Sequence, residues 1–201
     1  LQPPMLAYGF DAIERGGALL FRTRTGSATA TVTAEEVAVT PELPGDILAL
    51  RAPEPERVGR LKLLFVGADG DFDAATAEAV FPDTRSHGTA QTELPLLLSR
   101  AEGRAITERW LAEARVGRDR LRLALPPSRL DLGAGDVIAT AGGQYRIDRV
   151  EQSGLQLLQA VRVEPEIYAP SDIVDGPVTV SPYRAPPPPV LEMLWVSVAF
   201  V

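Results

Sequence analysis

Residues 124–138 read ALPPSRLDLGAGDVI: a serine, an arginine, two glycines and an aspartate between two apolar runs. Such a set could do chemistry in two ways. A nucleophilic serine elbow needs G-x-S-x-G at a strand-to-helix turn. Ser128 lies instead in P-P-S-R-L, and the sole histidine, His87, is remote in sequence. A phosphate cradle needs glycines that open onto a helix N-terminus. Gly133 and Gly135 open onto DVIAT, a strand pattern, and no Lys-Ser or Lys-Thr follows. What remains is a tight turn in which glycine supplies a positive φ and Asp136 bonds nearby backbone.

Other chemistry-bearing groups fare no better. Asp69, Asp71 and Asp73 alternate like the start of a calcium loop, which wants Gly at its sixth place and Glu at its twelfth. Ala74 and Val80 stand there, so an acidic hairpin tip is expected. His87 sits with Arg85, Ser86 and Gly88 in a polar stretch, residues 82–93, that reads as a long loop. Asp83 and Glu93 flank that stretch and would serve glycoside hydrolysis only at the right carboxylate separation. Arg129, Arg146 and Arg149 read as solvated strand faces or intersubunit ion-pair partners. The chain has no cysteine, which excludes disulfides, zinc–thiolate sites and thiol nucleophiles. The expected set of catalytic, metal and cofactor-binding residues is therefore none, and no cofactor and no enzymatic activity are expected.

The bulk numbers argue against a nucleic-acid surface. The chain has 201 residues, 45% hydrophobic, with a net charge of -7. Phosphate binding needs clustered positive charge, and here the arginines are interleaved with acids. No apolar run approaches the ~20 residues of a membrane helix. The closing run LEMLWVSVAFV is strand-like and would invite edge pairing if exposed, so a segment of a longer polypeptide is expected.

The elements that must position these residues are mostly strands. ALLFRTR and ATATVTAEEVAV, residues 18–39, follow the turn signal Gly16-Gly17, and Thr29, Thr31 and Thr33 alternate with Ala30, Val32 and Ala34. ILALRAP and RLKLLFV are further strands, and FDAATAEAVF fits either a strand or a short helix. One helix is expected over 96–116, with Gly103, Ile106, Thr107, Trp110, Leu111 and Ala114 on one stripe, Trp110 as its core anchor and Gly117 at its end. Arg104–Glu108 and Arg109–Glu113 are i,i+4 pairs. RLRLAL puts Arg120 and Arg122 on one face and Leu121, Leu123 and Leu125 on the other; DVIAT, QYRIDRVEQ and LQLLQAVRVEP follow, joined by Gly142-Gly143 and Ser153-Gly154 turns. The fold expected is mainly β with one principal helix (α+β): a tube-like β-barrel or sandwich, a flanking helix and an extended proline-rich arm. The divisions are 1–45, an N-terminal β lobe; 46–168, the barrel domain with its helix; and 169–201, the arm, partly polyproline II.

Ordered segments then carry a family resemblance. TELPLLLSRAEGRAITERWLAEARVGRDRLRLALPPSRLDLGAGDVI, followed by YRIDRVEQSGLQLLQAVRVEPEIY, resembles the large tail-tip protein of gene transfer agents and related long-tailed phages. That protein is also called the megatron or host-specificity protein, and the matching part is its phage tail domain. The resemblance covers residues 46–190. It implies a baseplate-hub-like part with a tube-like barrel and flanking helix. It also implies a homo-oligomeric ring, commonly a trimer, at the distal tail. Other tail-tip and tail-tube proteins would be partners, DNA only passing cargo, and the host surface would be met through other regions. Localisation would be a virion-like particle assembled in the bacterial cytoplasm. The family's glycosidase-like region has no counterpart here, and LWVSVAFV departs from the family pattern. Two other readings stay open: a carbohydrate- or receptor-binding module using Trp195, and a cell-wall hydrolase using Asp83 or Glu93.

Overall fold

A computed structural model describes residues 2–52, 58–68, 72–82 and 88–169. The chain opens with helix α1 (Gln2–Tyr8) and a hairpin of β1 (Phe10–Arg15) and β2 (Ala18–Thr23). Gly16 and Gly17 close that hairpin with φ of 61° and 76°, the doubly left-handed turn whose twist suits paired strands. A short β3 (Ala30–Thr31) and β4 (Ile47–Arg51) lead to a three-stranded unit of β5 (Val58–Gly67), β6 (Ala74–Val80) and β7 (Gly88–Leu98). Helix α2 (Arg100–Val116) follows, then the antiparallel run β8 (Asp119–Leu125), β9 (Val137–Thr140), β10 (Gly143–Ser153) and β11 (Leu155–Val163).

The larger sheet has six strands in the order β3-β9-β10-β11-β8-β4, and the smaller has the order β6-β5-β7. The alternation read in RLRLAL holds: Leu121, Leu123 and Leu125 enter a core with Ile138, Tyr145, Ile147 and Leu158. The α+β class is as expected. The tube-like closure is not present within the described residues, because the six-stranded sheet ends in β3 and β4, which pair with other strands and not with each other. The proline-rich arm and the apolar C-terminal run lie outside the described residues.

Two local expectations are corrected, and one open choice is decided. ATATVTAEEVAV forms only the two residues of β3, parallel to β9, before Thr33 caps a 3-10 turn at Ala34–Glu36 with the Glu36 carboxylate accepting from Thr33 N at 2.8 Å. The polar stretch 82–93 is a loop for less of its length than expected, since β7 starts at Gly88 and pairs parallel with β5. Thr89, Gln91 and Glu93 alternate there with the more buried Ala90, Thr92 and Leu94, so period-2 burial is written in polar residues. FDAATAEAVF is strand β6 from Ala74, where Ala77 and Ala79 are buried.

The helix starts four residues later than expected. Leu96–Leu98 still belong to β7, where Pro95 sits in a register shift opposite Leu64–Val66, as a proline on an edge strand must. A capping box sets the start: Ser99 Oγ accepts from Glu102 N at 3.2 Å, and Ser99 N donates to Glu102 Oε2 at 2.8 Å. Gly103, Ile106, Thr107 and Leu111 of the expected stripe are buried, but Ala114 is exposed and Trp110 only half-buried. Trp110 bridges two apolar clusters and donates its indole N–H to Leu6 O at 3.0 Å. Arg104–Glu108 pair at 2.9 Å, whereas Arg109 turns to the carbonyls of Leu6 and Ala7 at 2.7 and 2.8 Å, closing the C-terminal end of α1.

Gly103 shows which force shapes α2. A methyl group there would gain about 1 kcal/mol of helix propensity. Its Cβ would stand 2.5 Å from Cε1 and Cζ of Phe65, which is 4% exposed and cannot swing away. Overpacking costs about 1–3 kcal/mol, so packing wins at such a short approach. Gly103→Ala is expected to lower stability, by up to about 2 kcal/mol, read as a lower urea midpoint at unchanged m-value.

Candidate assembly surface

The turn after β8 is built around a carboxylate. β8 ends at Leu125, Pro127–Arg129 make one 3-10 turn, and Gly135 takes φ +81°. Ser128 is exposed on that 3-10 turn. Asp136, 5% exposed, accepts from Gly133 N at 2.8 Å, so the expected local backbone bond is present. Gly135 N donates to Ile147 O and Ile147 N to Asp136 O, which lock the turn to β10.

Asp136 has two further partners that the local sequence does not announce. Arg15 Nη1 donates to Oδ2 at 3.0 Å, and Arg22 Nη1 donates to Oδ1. Arg15 also donates to Asp131 O, and Ile13 lies over Gly135 so closely that no side chain fits there. The β1–β2 hairpin is therefore fastened to the turn by one face. Burial works against the ionised carboxylate, but the hydrogen bonds from Arg22 and Gly133 and the charges of both arginines outweigh it and hold Asp136 below the usual aspartate range.

A second set of charges ties this assembly to α2. Arg24 grips Asp11 through Nε at 3.1 and 3.0 Å and Nη2 at 2.6 Å, and its Nη1 lies 3.5 Å from Glu113 of the helix. The hydrogen bond to Asp11 raises the Arg24 pKa against the opposing effect of burial. Arg146 bonds Asp148 at 3.0 Å and approaches Asp11 at 3.8 Å. Gly26, with φ +67°, runs beneath the 3-10 turn Pro165–Tyr168, where a Cβ would stand 2.9 Å from Pro165 Cα. Burial first, and the Glu113 charge next, push the Tyr168 phenol up to about 12.

The arginines are thus more committed than expected. Arg129 reaches Glu36 and Thr31 O, and Arg146 is four-fifths buried among acids of its own chain. Arg149 alone of the three is mainly exposed, 3.0 Å from Glu151. Asp69, Asp71, Asp83, His87 and Trp195 lie outside the described residues. Asp73 is exposed and gives its main-chain carbonyl to Gly67 N, and Glu93 is exposed on β7. Among the described residues, no three of His, Asp and Glu converge as metal ligands.

What the geometry displays is apolar strand surface. Leu19, Leu20 and Phe21 of β2 are 57%, 41% and 58% exposed; Ile47 and Leu50 of β4 are 42% and 46% exposed. Phe21 is held edge-on to Phe10, ring centroids 6.0 Å apart. Side chains of this kind, on strands whose outer edge no described strand pairs with, fit contact with another polypeptide.

Known proteins give the surface its context. The family described as "Putative phage tail protein" matches residues 1–150. A chain in the structure titled "Virion of native gene transfer agent (GTA) particle" is 50% identical, with a TM-score of 0.83 over 87% of this chain and 40% of that one. The tail protein from Neisseria meningitidis MC58 shares the fold at 12% identity and a TM-score of 0.50, covering 78% of this chain and 52% of that one. A 43 kDa tail protein of prophage MuSo2 from Shewanella oneidensis aligns at 10% identity over 83% of this chain and 50% of that one, with a TM-score of 0.47. No curated protein sequence matches.

The clamp makes a prediction. Asp136→Asn removes one charge between two part-exposed arginines, which softens the penalty of a fully buried pair, and should cost about 1–3 kcal/mol. An aspartate held below its unfolded pKa stabilises the fold above that unfolded value, and the stabilisation is lost as pH falls through the folded one. The urea midpoint of the native chain should therefore fall between about pH 4 and the depressed folded value, and Asp136→Asn should flatten that part of the profile.

Proposed function

Because this chain belongs to the family of phage tail proteins whose model spans residues 1–150, we propose that it builds the distal end of a phage-like tail, as the baseplate-hub part of a gene transfer agent or long-tailed phage. The observation that carries this reading is the 50% identity over 87% of the chain to a polypeptide of a gene transfer agent virion. The chain spans about 40% of that polypeptide, so receptor contact and any chemistry on the host envelope belong to regions beyond the matched part.

The role proposed here is structural and non-enzymatic. Its support is the use made of the charged groups. Asp136, Arg15, Arg22, Arg24, Asp11 and Glu113 are spent in holding elements together. The partners proposed are further copies of the chain, in a ring of three, and the neighbouring tail-tip and tail-tube proteins, joined during assembly in the bacterial cytoplasm. The tube-like form expected of the family then belongs to the ring and not to one chain. DNA is passing cargo: a net charge of -7 suits a conduit that must not grip phosphates.

Electron microscopy of particles carrying an epitope on this chain should place gold label at the end of the tail opposite the head. Label along the tube, on the head, or absent from particles would refute the reading. Duplex DNA should bind weakly at physiological salt; tight binding that collapses as salt rises would contradict the conduit role.

A further inference from the structure

Two strands carry apolar side chains on both faces, and each has an edge that no described strand pairs with. In β2 the run Ala18-Leu19-Leu20-Phe21 is exposed throughout, and in β4 so are Ile47, Ala49 and Leu50, with Leu48 half-buried. A strand apolar on both faces is the pattern of one buried between neighbours. Among the described residues each has a neighbour on one side only: β2 pairs with β1, and β4 pairs with β8. The hairpin is a two-stranded sheet of its own, fastened through Asp136 to the turn that leads into β9, whereas β4 is the edge of the six-stranded sheet beyond β8.

We propose that β2 of one copy adds to β4 of the next, head to tail and antiparallel. This rests on reading the chain as a part of a tail assembly. Charge selects the direction. Aligning the four apolar residues of each strand in parallel would set Arg22 opposite Arg51, and like charges directly opposite are unfavourable. The antiparallel alignment sets Phe21 against Ile47, Leu20 against Leu48, Leu19 against Ala49 and Ala18 against Leu50. It also sets Arg22 opposite Asp46, an unlike pair, while Arg51 meets Gly17 and has room.

The faces match as well. Ile47 and Ala49 share their face with Leu123 and Leu121 of β8, the core face of the large sheet, yet remain exposed because that core stops short of the edge. Phe21 and Leu19 of the arriving strand would extend this core by one strand. They occupy the hairpin face turned away from Asp136, since Arg22, Leu20 and Ile13 take the face fastened to the turn. A contact between two different edges is heterologous and generates a ring when its rotation closes.

The chain has no cysteine, so placed thiols report cleanly. Leu20→Cys and Leu48→Cys chains of 201 residues, mixed and treated with a short bismaleimide, should give a covalent dimer, and neither alone should. Absence of the mixed product, or a product from either variant alone, overturns the pairing. In sedimentation, Phe21→Lys should weaken self-association about tenfold or more at an unchanged melting temperature; unchanged association, or a native chain that stays monomeric, also overturns it. Gold label at the tail tip combined with no mixed cross-link would remove this interface and leave the tail role standing.

Discussion

A carboxylate taken out of water must be met by opposite charge and by hydrogen bonds, and Asp136 is met by groups more than a hundred residues earlier in the chain. Much of the N-terminal arrangement follows from that need. A two-stranded hairpin is marginal by itself in water, and β1–β2 leaves Leu19 and Phe21 exposed on its outer face. Arg15 and Arg22, with Ile13 packed over Gly135, fasten it, and through them the turn at Gly133–Asp136 dictates where the hairpin stands. Arg24, just past β2, then reaches Asp11 and Glu113, so the same segment that is fixed to the large sheet is also fixed to α2.

The parts legible in the sequence were those whose cause is local. The alternation of RLRLAL, the turn pairs Gly16-Gly17, Gly142-Gly143 and Ser153-Gly154, and the stripe of α2 all encode their structure within a few residues. The S-x-x-E box at Ser99–Glu102 was equally local, and it is the signal that would have moved the helix start from 96 to 100. Prolines at positions 3 and 4 suit the first turn of a helix, and they are the signal for α1. Polar composition hid β7, because its burial alternates while its residue types do not.

The candidate site was hardest to read because its causes are distant. Nothing near Asp136 predicts Arg15 and Arg22, and nothing near Arg146 predicts Asp11. A solvated surface and a set of internal clamps are indistinguishable in a list of arginines. They separate only when the fold sets each guanidinium against a carboxylate. The open sheet has the same origin. The alternation of strands fixes which side chains face the core, but closure depends on whether the first and last strands meet, and β3 is cut to two residues by the Thr33 cap.

The edges of this chain are managed unequally, and the inequality carries meaning. Natural sheets blunt exposed edges with short strands, prolines, bulges or charges. Here β3 is short, β7 carries Pro95 in a register shift, and β6 bears Glu78 paired with Arg60 at 2.8 Å. Among the described residues the edges of β2 and β4 have no such device along their apolar runs, and the charged residues Arg22, Asp46 and Arg51 flank those runs at their ends. Among the described residues, then, β3, β6 and β7 are blunted while β2 and β4 present apolar runs at their edges. Those two strands are where contact with another polypeptide would cost least in unmet apolar surface, and the clamp on Asp136 holds one of them in a fixed position.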